Sequence, residues 1–242
     1  MPDASEFHLA MIKSNITLAA KCAPGKNILS FIKDAGIKAV ELYLSQEIMR
    51  DIGSIADLCA TFPFSYALHA PNDCHNPAAV ERLAREIGAN IVVFHDIFWE
   101  DEWKETAAVF KDSPAKMCIE NIKCVHDPLK IMRRYKAARC LDLEHFQMEC
   151  SGMHEDELIP AMKEASHIHI TGYNSGSRLW HTHIHHSPLH GNYLLDLLAK
   201  SGYTGMAVSE AAVKYQTAEE FKRLHLFFTE WQTSQQLHST AA

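Results

Sequence analysis

The chain has 242 residues, 47% of them hydrophobic, which suffices for one large core and suits a single α/β barrel spanning residues 1–242 as one domain. Its 30 acidic residues outnumber 23 basic ones for a formal net charge of −7, so it lacks the basic footprint expected of a nucleic-acid binder. No apolar run reaches the roughly 18 residues of a membrane span, and the opening MPDASEFHLA has no basic and apolar regions of an export signal, so a cytoplasmic protein is expected.

Strand-like runs appear in chain order as HLAMIKS near residue 8, IKAVELYL (37–44), FSYALHA (64–70), NIVVFHD (90–96), KMCIENI (116–122), RCLDLEHF (139–146), HIHITGY (167–173) and GMAVSEA (205–211). Amphipathic stretches alternate with them: NILSFIKDAG, SQEIMRDIGSIADLCATF, NPAAVERLAREIGA, WKETAAVFKD, DPLKIMRRYKA, EDELIPAMKEAS, NYLLDLLAKSG and a last one from Thr217 through Trp231. Several open on an Asn, Asp or Ser cap, and several close at Gly36, Gly88 or Gly202. Eight such alternations predict an α/β fold, a single (β/α)8 TIM barrel. The alternative is an open doubly wound sheet, whose dinucleotide-binding version is weakened by the lack of a G-x-G-x-x-G after the first strand. Seven scattered cysteines (Cys22, Cys59, Cys74, Cys118, Cys124, Cys140, Cys150), with no C-x-x-C pair, read as reduced structural thiols.

In a closed barrel the chemistry gathers at the C-terminal strand ends. Those ends carry His69, His95, Glu120, Asp142 and His145, His169, and Glu210. Apolar runs that finish in a carboxylate (MCIE, CLD, MAVSE) would bury negative charges close together, which is costly unless a cation or proton compensates them. A divalent metal supplies that compensation. Three carboxylates and one imidazole suit Mn²⁺, Mg²⁺, Co²⁺ or Zn²⁺. His167 and His169 share a face by the period of two, with His169 nearer the C-terminal end as the better ligand and His167 one layer deeper. Six histidines fall between His167 and His186.

The ordered set LHAP, VVFH, CIEN, LDLEH, HIHITG, HHSPLHGN and SGYTGMAVSE resembles the xylose isomerase-like TIM barrels, a superfamily of sugar-phosphate and ketose isomerases and epimerases that also holds endonuclease IV. The resemblance implies a catalytic metal on Glu120, Asp142, His169 and Glu210, with His145 on substrate or a further metal. His186 is the counterpart of the family's histidine in His-x-P-x-Gly. Two departures stand out: Ile184 replaces an expected Asp, and the following Gly-x-Gly is reduced to His190, Gly191 and Asn192.

Two activities follow from the resemblance. As an isomerase or epimerase in carbohydrate metabolism, the chain would use Glu120 and Glu210 to remove and return a proton through a metal-bound enediolate. Arg178, His183, Trp99 and Trp180 would contact a small carbohydrate-like substrate, in a monomer or a homo-oligomer. As an endonuclease IV-like zinc phosphodiesterase acting on abasic DNA, it would add His69, His95, His145 and His186 as further ligands; His183 or His185 would replace the missing carboxylate. The acidic net charge favours the first reading. A non-catalytic binding barrel is the third class, and the two intact glutamates argue against it. His181, His183 and His185 otherwise read as a solvated loop face.

Overall fold

A computed structural model describes residues 15–122, 128–149, 155–174 and 180–240. Its eight strands are β1 (Thr17–Cys22), β2 (Ala39–Tyr43), β3 (Ser65–His69), β4 (Ile91–His95), β5 (Lys116–Glu120), β6 (Ala138–Asp142), β7 (His167–Ile170) and β8 (Met206–Ser209). They pair in parallel in chain order, and β8 closes on β1 with Val208 opposite Ala19. The protein is therefore a (β/α)8 barrel.

Helices α1 (Lys26–Asp34), α2 (Ile52–Ala60), α3 (Pro77–Ile87), α4 (Glu100–Phe110), α5 (Pro128–Tyr135), α6 (Leu143–Glu149), α7 (Glu155–Glu164), α8 (Pro188–Ser201) and α9 (Ala218–Thr240) follow the strands. The main core lies between sheet and helices, where outward strand residues such as Leu42, Leu68 and Ile119 meet Leu29, Ile32, Leu83, Leu158 and Phe221. None of the helices among the described residues is long and apolar enough to cross a membrane.

Inside the barrel sits a second, smaller cluster that includes Ala19, Ala39, Ala67, Val93, Cys118, Cys140 and Val208. Because side chains alternate along a strand, the residue two positions on from each of these also points inward. Those residues are Lys21, Glu41, His69, His95, Glu120, Asp142 and Glu210, joined by His169 above His167 on β7. Every strand thus contributes one ionisable side chain to the C-terminal mouth.

Local chemistry shifts three boundaries from the sequence expectations. The run HLAMIKS lies outside the described residues, and the first barrel strand is TLAAKC, Thr17–Cys22. Its inward face holds Thr17, Ala19 and Lys21, so it lacks the apolar density of a buried strand. The long stretch SQEIMRDIGSIADLCATF splits into a 3-10 turn (Ile48–Asp51) and α2, because Asp51 accepts a hydrogen bond from the Ser54 amide and caps a new helix. RCLDLEHF is not one strand: β6 ends at Asp142, whose Oδ1 accepts from the His145 amide at 2.7 Å and opens α6. The Asp-x-x-His spacing is a helix cap as well as a pair of site residues.

After β7 the chain folds back on itself through an antiparallel bridge between Gly172 and Thr182, with the Gly172 amide 2.7 Å from the Thr182 carbonyl. A Cβ on Gly172 would collide with the backbone carbonyl of His183. Gly172→Ala should therefore lower the melting temperature, whereas Gly53→Ala, whose nearest neighbour is a side-chain oxygen at 3.8 Å in α2, should not. Equal melting curves for the two variants would contradict this packing.

Candidate active site

The mouth of the barrel forms a cup of interlocked ionisable groups. One ligand atom from each of Glu120, Asp142, His169 and Glu210 lies within 4.8 Å of the others. His169 Nδ1 faces Glu210 Oε2 at 3.1 Å, Glu120 Oε2 at 3.5 Å and Asp142 Oδ2 at 3.7 Å. Yet His169 Nδ1, Glu210 Oε2 and Asp142 Oδ2 make no aligned hydrogen bond. Buried polar atoms are normally satisfied, and three orphans turned toward one point, with carboxylate and imidazole chemistry, fit a divalent cation.

Glu41 sets the orientation of His169. Its Oε2 accepts from His167 Nε2 at 2.6 Å and from His169 Nε2 at 3.1 Å, which turns the other ring nitrogen of His169 toward the carboxylates. This is the outer-shell carboxylate commonly found behind ligating histidines. Lys21 bridges the acids, with Nζ 3.0 Å from Glu210 and 3.4 Å from Glu41. Neither Lys21 nor Glu41 was singled out from the sequence. The signal that finds them is positional: each follows an inward residue of the barrel by two positions, Ala19 and Ala39 here, as His95 follows Val93 and Glu120 follows Cys118.

A second arc adjoins Glu120. His69 Nε2 lies 3.2 Å and His95 Nε2 3.3 Å from Glu120 Oε2, and the two imidazoles are 3.1 Å apart. His145 Nδ1 stands 3.5 Å from Glu120 Oε1 and also approaches the Asn121 carbonyl. Asn121 accepts from the Asp142 amide and donates to its carbonyl, locking the end of β5 to the end of β6.

The electrostatics follow from these contacts. Burial pushes the Glu120 carboxyl up, but His169, His145 and His69 together hold it well below the usual carboxylate range. Glu210 is likewise held low against burial by Lys21 and His169. Burial lowers His169 as well, yet the surrounding acidic groups, Glu41 and Glu120 among them, carry it well above its ordinary value. For His145, burial is outweighed by Glu120 and Asp142, and its pKa rises to about 9. Burial depresses His69.

Other expected site residues sit elsewhere. His186 is bonded to Glu220 at 2.6 Å, not to the cup. His183 is buried, with Nδ1 2.8 Å from the Ser209 hydroxyl and Nε2 3.2 Å from the Tyr215 carbonyl; it belongs to the packing beneath the rim, not to a solvated face. Trp180 leans on Tyr173 and His190, while Trp99 is 74% exposed at the start of α4. Arg178 lies outside the described residues. All five cysteines among the described residues are free thiols.

No protein-family model matches the chain, and no curated protein matches it by sequence. Solved structures do share its fold. The 3-keto-D-glucoside 4-epimerase of E. coli superposes with a TM-score of 0.62 at 12% identity, over 90% of this chain and 99% of that one. A D-allulose 3-epimerase from Methylomonas sp., solved with D-allulose, gives 0.59 at 10% identity over 90% and 97%. Phosphoribosyl anthranilate isomerase from Thermotoga maritima gives 0.54 at 11% identity over 89% and 99%. At these identities the likeness is one of fold.

The buried His183 makes a measurable prediction. Burial, with His185 adding to it, lowers its pKa from 6.5 to about 4. A group depressed in the fold stabilises through its neutral form, so this contribution is complete above 6.5 and is lost as pH falls from there toward 4. The loss amounts to about 3 kcal/mol by linkage. Denaturant unfolding from pH 7 to pH 4 should show a shallower decline in His183→Gln than in the unsubstituted protein; parallel declines would refute the assignment.

Proposed function

We propose that this chain is a metal-dependent isomerase or epimerase of a sugar, sugar phosphate or hydroxy-keto acid, with Glu120 and Glu210 as the proton-transferring groups. The observation that carries this reading is the convergence of Glu120, Asp142, His169 and Glu210 at the C-terminal mouth of the barrel. The fold shared with two sugar epimerases supports it.

A divalent cation (Mn²⁺, Zn²⁺, Co²⁺ or Mg²⁺) held by these four side chains would polarise a substrate carbonyl and acidify the neighbouring C–H. The protein's own groups do the rest. Glu120 and Glu210 are both held ionised, so each is ready to take a proton from carbon and to return it to give an isomer or epimer through an enediolate. His145, with its raised pKa, carries a proton at neutral pH beside Glu120. Lys21 fixes Glu210 and offsets part of the negative charge. Glu41 holds the His169 ring in its orientation. Trp180, Trp99 and Arg178 remain the proposed walls and polar contact for a small carbohydrate-like substrate.

One arrangement favours a second reading. His69, His95 and Glu120 form another group of close ligand atoms, as a multi-metal phosphodiesterase would require. Against it stands His186, which that reading needs as a ligand of the cup and which the fold carries instead to Glu220, in a group that shares no residue with the cup.

The two readings separate experimentally. With Mn²⁺, Co²⁺ or Mg²⁺ the protein should exchange solvent deuterium into the carbon beside the carbonyl of a ketose, ketose phosphate or hydroxy-keto acid, and should not incise duplex DNA at an abasic site. Exchange absent across a broad panel, together with incision lost in a Glu120→Gln control, would replace the first reading by the second. Glu120→Gln and Glu210→Gln should each reduce turnover by about 10²–10⁴-fold while leaving the fold intact; retained turnover in either excludes that glutamate as the base.

Glu41→Gln should weaken metal binding by about 10–100-fold, since it leaves His169 without its orienting carboxylate. Equilibrium dialysis measures this without recourse to activity, and unchanged affinity would show that Glu41 serves only the barrel interior.

A further inference from the structure

Apart from the cup, a second group of ligating side chains lies where the 3-10 turn Ile184–His186 meets the first turn of α9. His186 Nε2 and His185 Nε2 stand 2.6 Å and 3.2 Å from one oxygen, Glu220 Oε2. One ligand atom from each of the three residues lies within 4.8 Å of the others, and the group shares no residue with the cup. The two rings come from consecutive residues, with centroids 4.5 Å apart and planes tilted by 31°. The turn therefore aims both imidazoles at a single carboxylate.

Ion pairing explains only half of this arrangement. His186 satisfies Glu220 Oε2 with a short hydrogen bond. His185 gains no such bond: both of its ring nitrogens are shielded from solvent and neither has an aligned partner, although Nε2 faces the same oxygen. Buried imidazoles normally find a donor or acceptor. The neighbouring cation does not fill the gap either, because Arg223 is paired with Glu219 at 3.0 Å. His183, the next imidazole toward the barrel, is already held by Ser209 and Tyr215. Two imidazole nitrogens and a carboxylate oxygen that converge in this way are the protein ligands of a tetrahedral zinc site with one position open.

We propose that His185, His186 and Glu220 form a second, independent site for Zn²⁺ or a metal of similar preference. Its donor set, with two imidazoles and one carboxylate, selects Zn²⁺ over Mg²⁺ more strongly than the three-carboxylate set of the cup does. An ion there fastens the segment following β7 to the start of α9, two elements that otherwise meet through the His186–Glu220 bond and packing such as His183 on Phe221.

Untagged protein, stripped with a chelator and dialysed against Zn²⁺, should hold one more equivalent of zinc per chain than a variant carrying His185→Ala, His186→Ala and Glu220→Gln. Crystals grown with Zn²⁺ should show anomalous scattering at the zinc edge between these three side chains, and the peak should persist in Glu120→Gln, which alters only the cup. Should the triple variant fail to fold, Glu220→Ala alone is expected to lose the same equivalent. An unchanged zinc count in the folded variant, or no anomalous peak at the cluster, overturns the site.

Discussion

Buried negative charge at the barrel mouth is the constraint on which the rest of the structure depends. Glu41, Glu120 and Asp142 are almost wholly removed from solvent, and Glu210 nearly so at its inner oxygen. Each buried carboxylate carries a desolvation penalty that in proteins still amounts to several kcal/mol after relaxation, so an uncompensated set would not be stable. Lys21 and the imidazoles of His145 and His169 offset the charge, and His69 and His167, depressed by burial, add hydrogen bonds, each at a distance that demands a fixed strand register. A slip of one residue on any strand would turn its charge into the apolar layer outside the sheet.

The packing beneath the cup makes this register affordable in volume. Barrel interiors are usually filled by branched aliphatic side chains. Here the inward layer below the charges is built largely from Ala19, Ala39, Ala67, Cys118 and Cys140. Small residues leave room for the long stems of Lys21 and Glu41 to cross the interior. His167 occupies part of the space they leave, and its bond to Glu41 turns that filler into a support for the His169 ring.

The rim translates the same logic into loops and helices. Asp142 uses one oxygen to cap α6 and keeps the other turned into the cup, so the start of a helix and the edge of the site are a single feature. Beyond β7, Gly172 lets the returning segment pass close enough for His183 to reach Ser209 on β8. That contact places His185 and His186 against α9, where they meet Glu220.

Much of this was legible in the sequence because strand period and barrel topology are local or repetitive properties. The alternation of apolar runs with capped amphipathic stretches determined a (β/α)8 barrel, and carboxylates or histidines at successive strand ends marked Glu120, Asp142, His169, Glu210, His69, His95 and His145 as neighbours. Lys21 and Glu41 were hidden, since a lysine or glutamate within a short run reads as solvent-facing until closure of β1 on β8 and β2 makes that face an interior. The true first strand was hidden for the same reason. Only the tertiary structure decided that His183 is a buried support and that His185 and His186 belong with Glu220, because side chains 34 residues apart meet through the packing of α9 on the loop after β7, which no local pattern records.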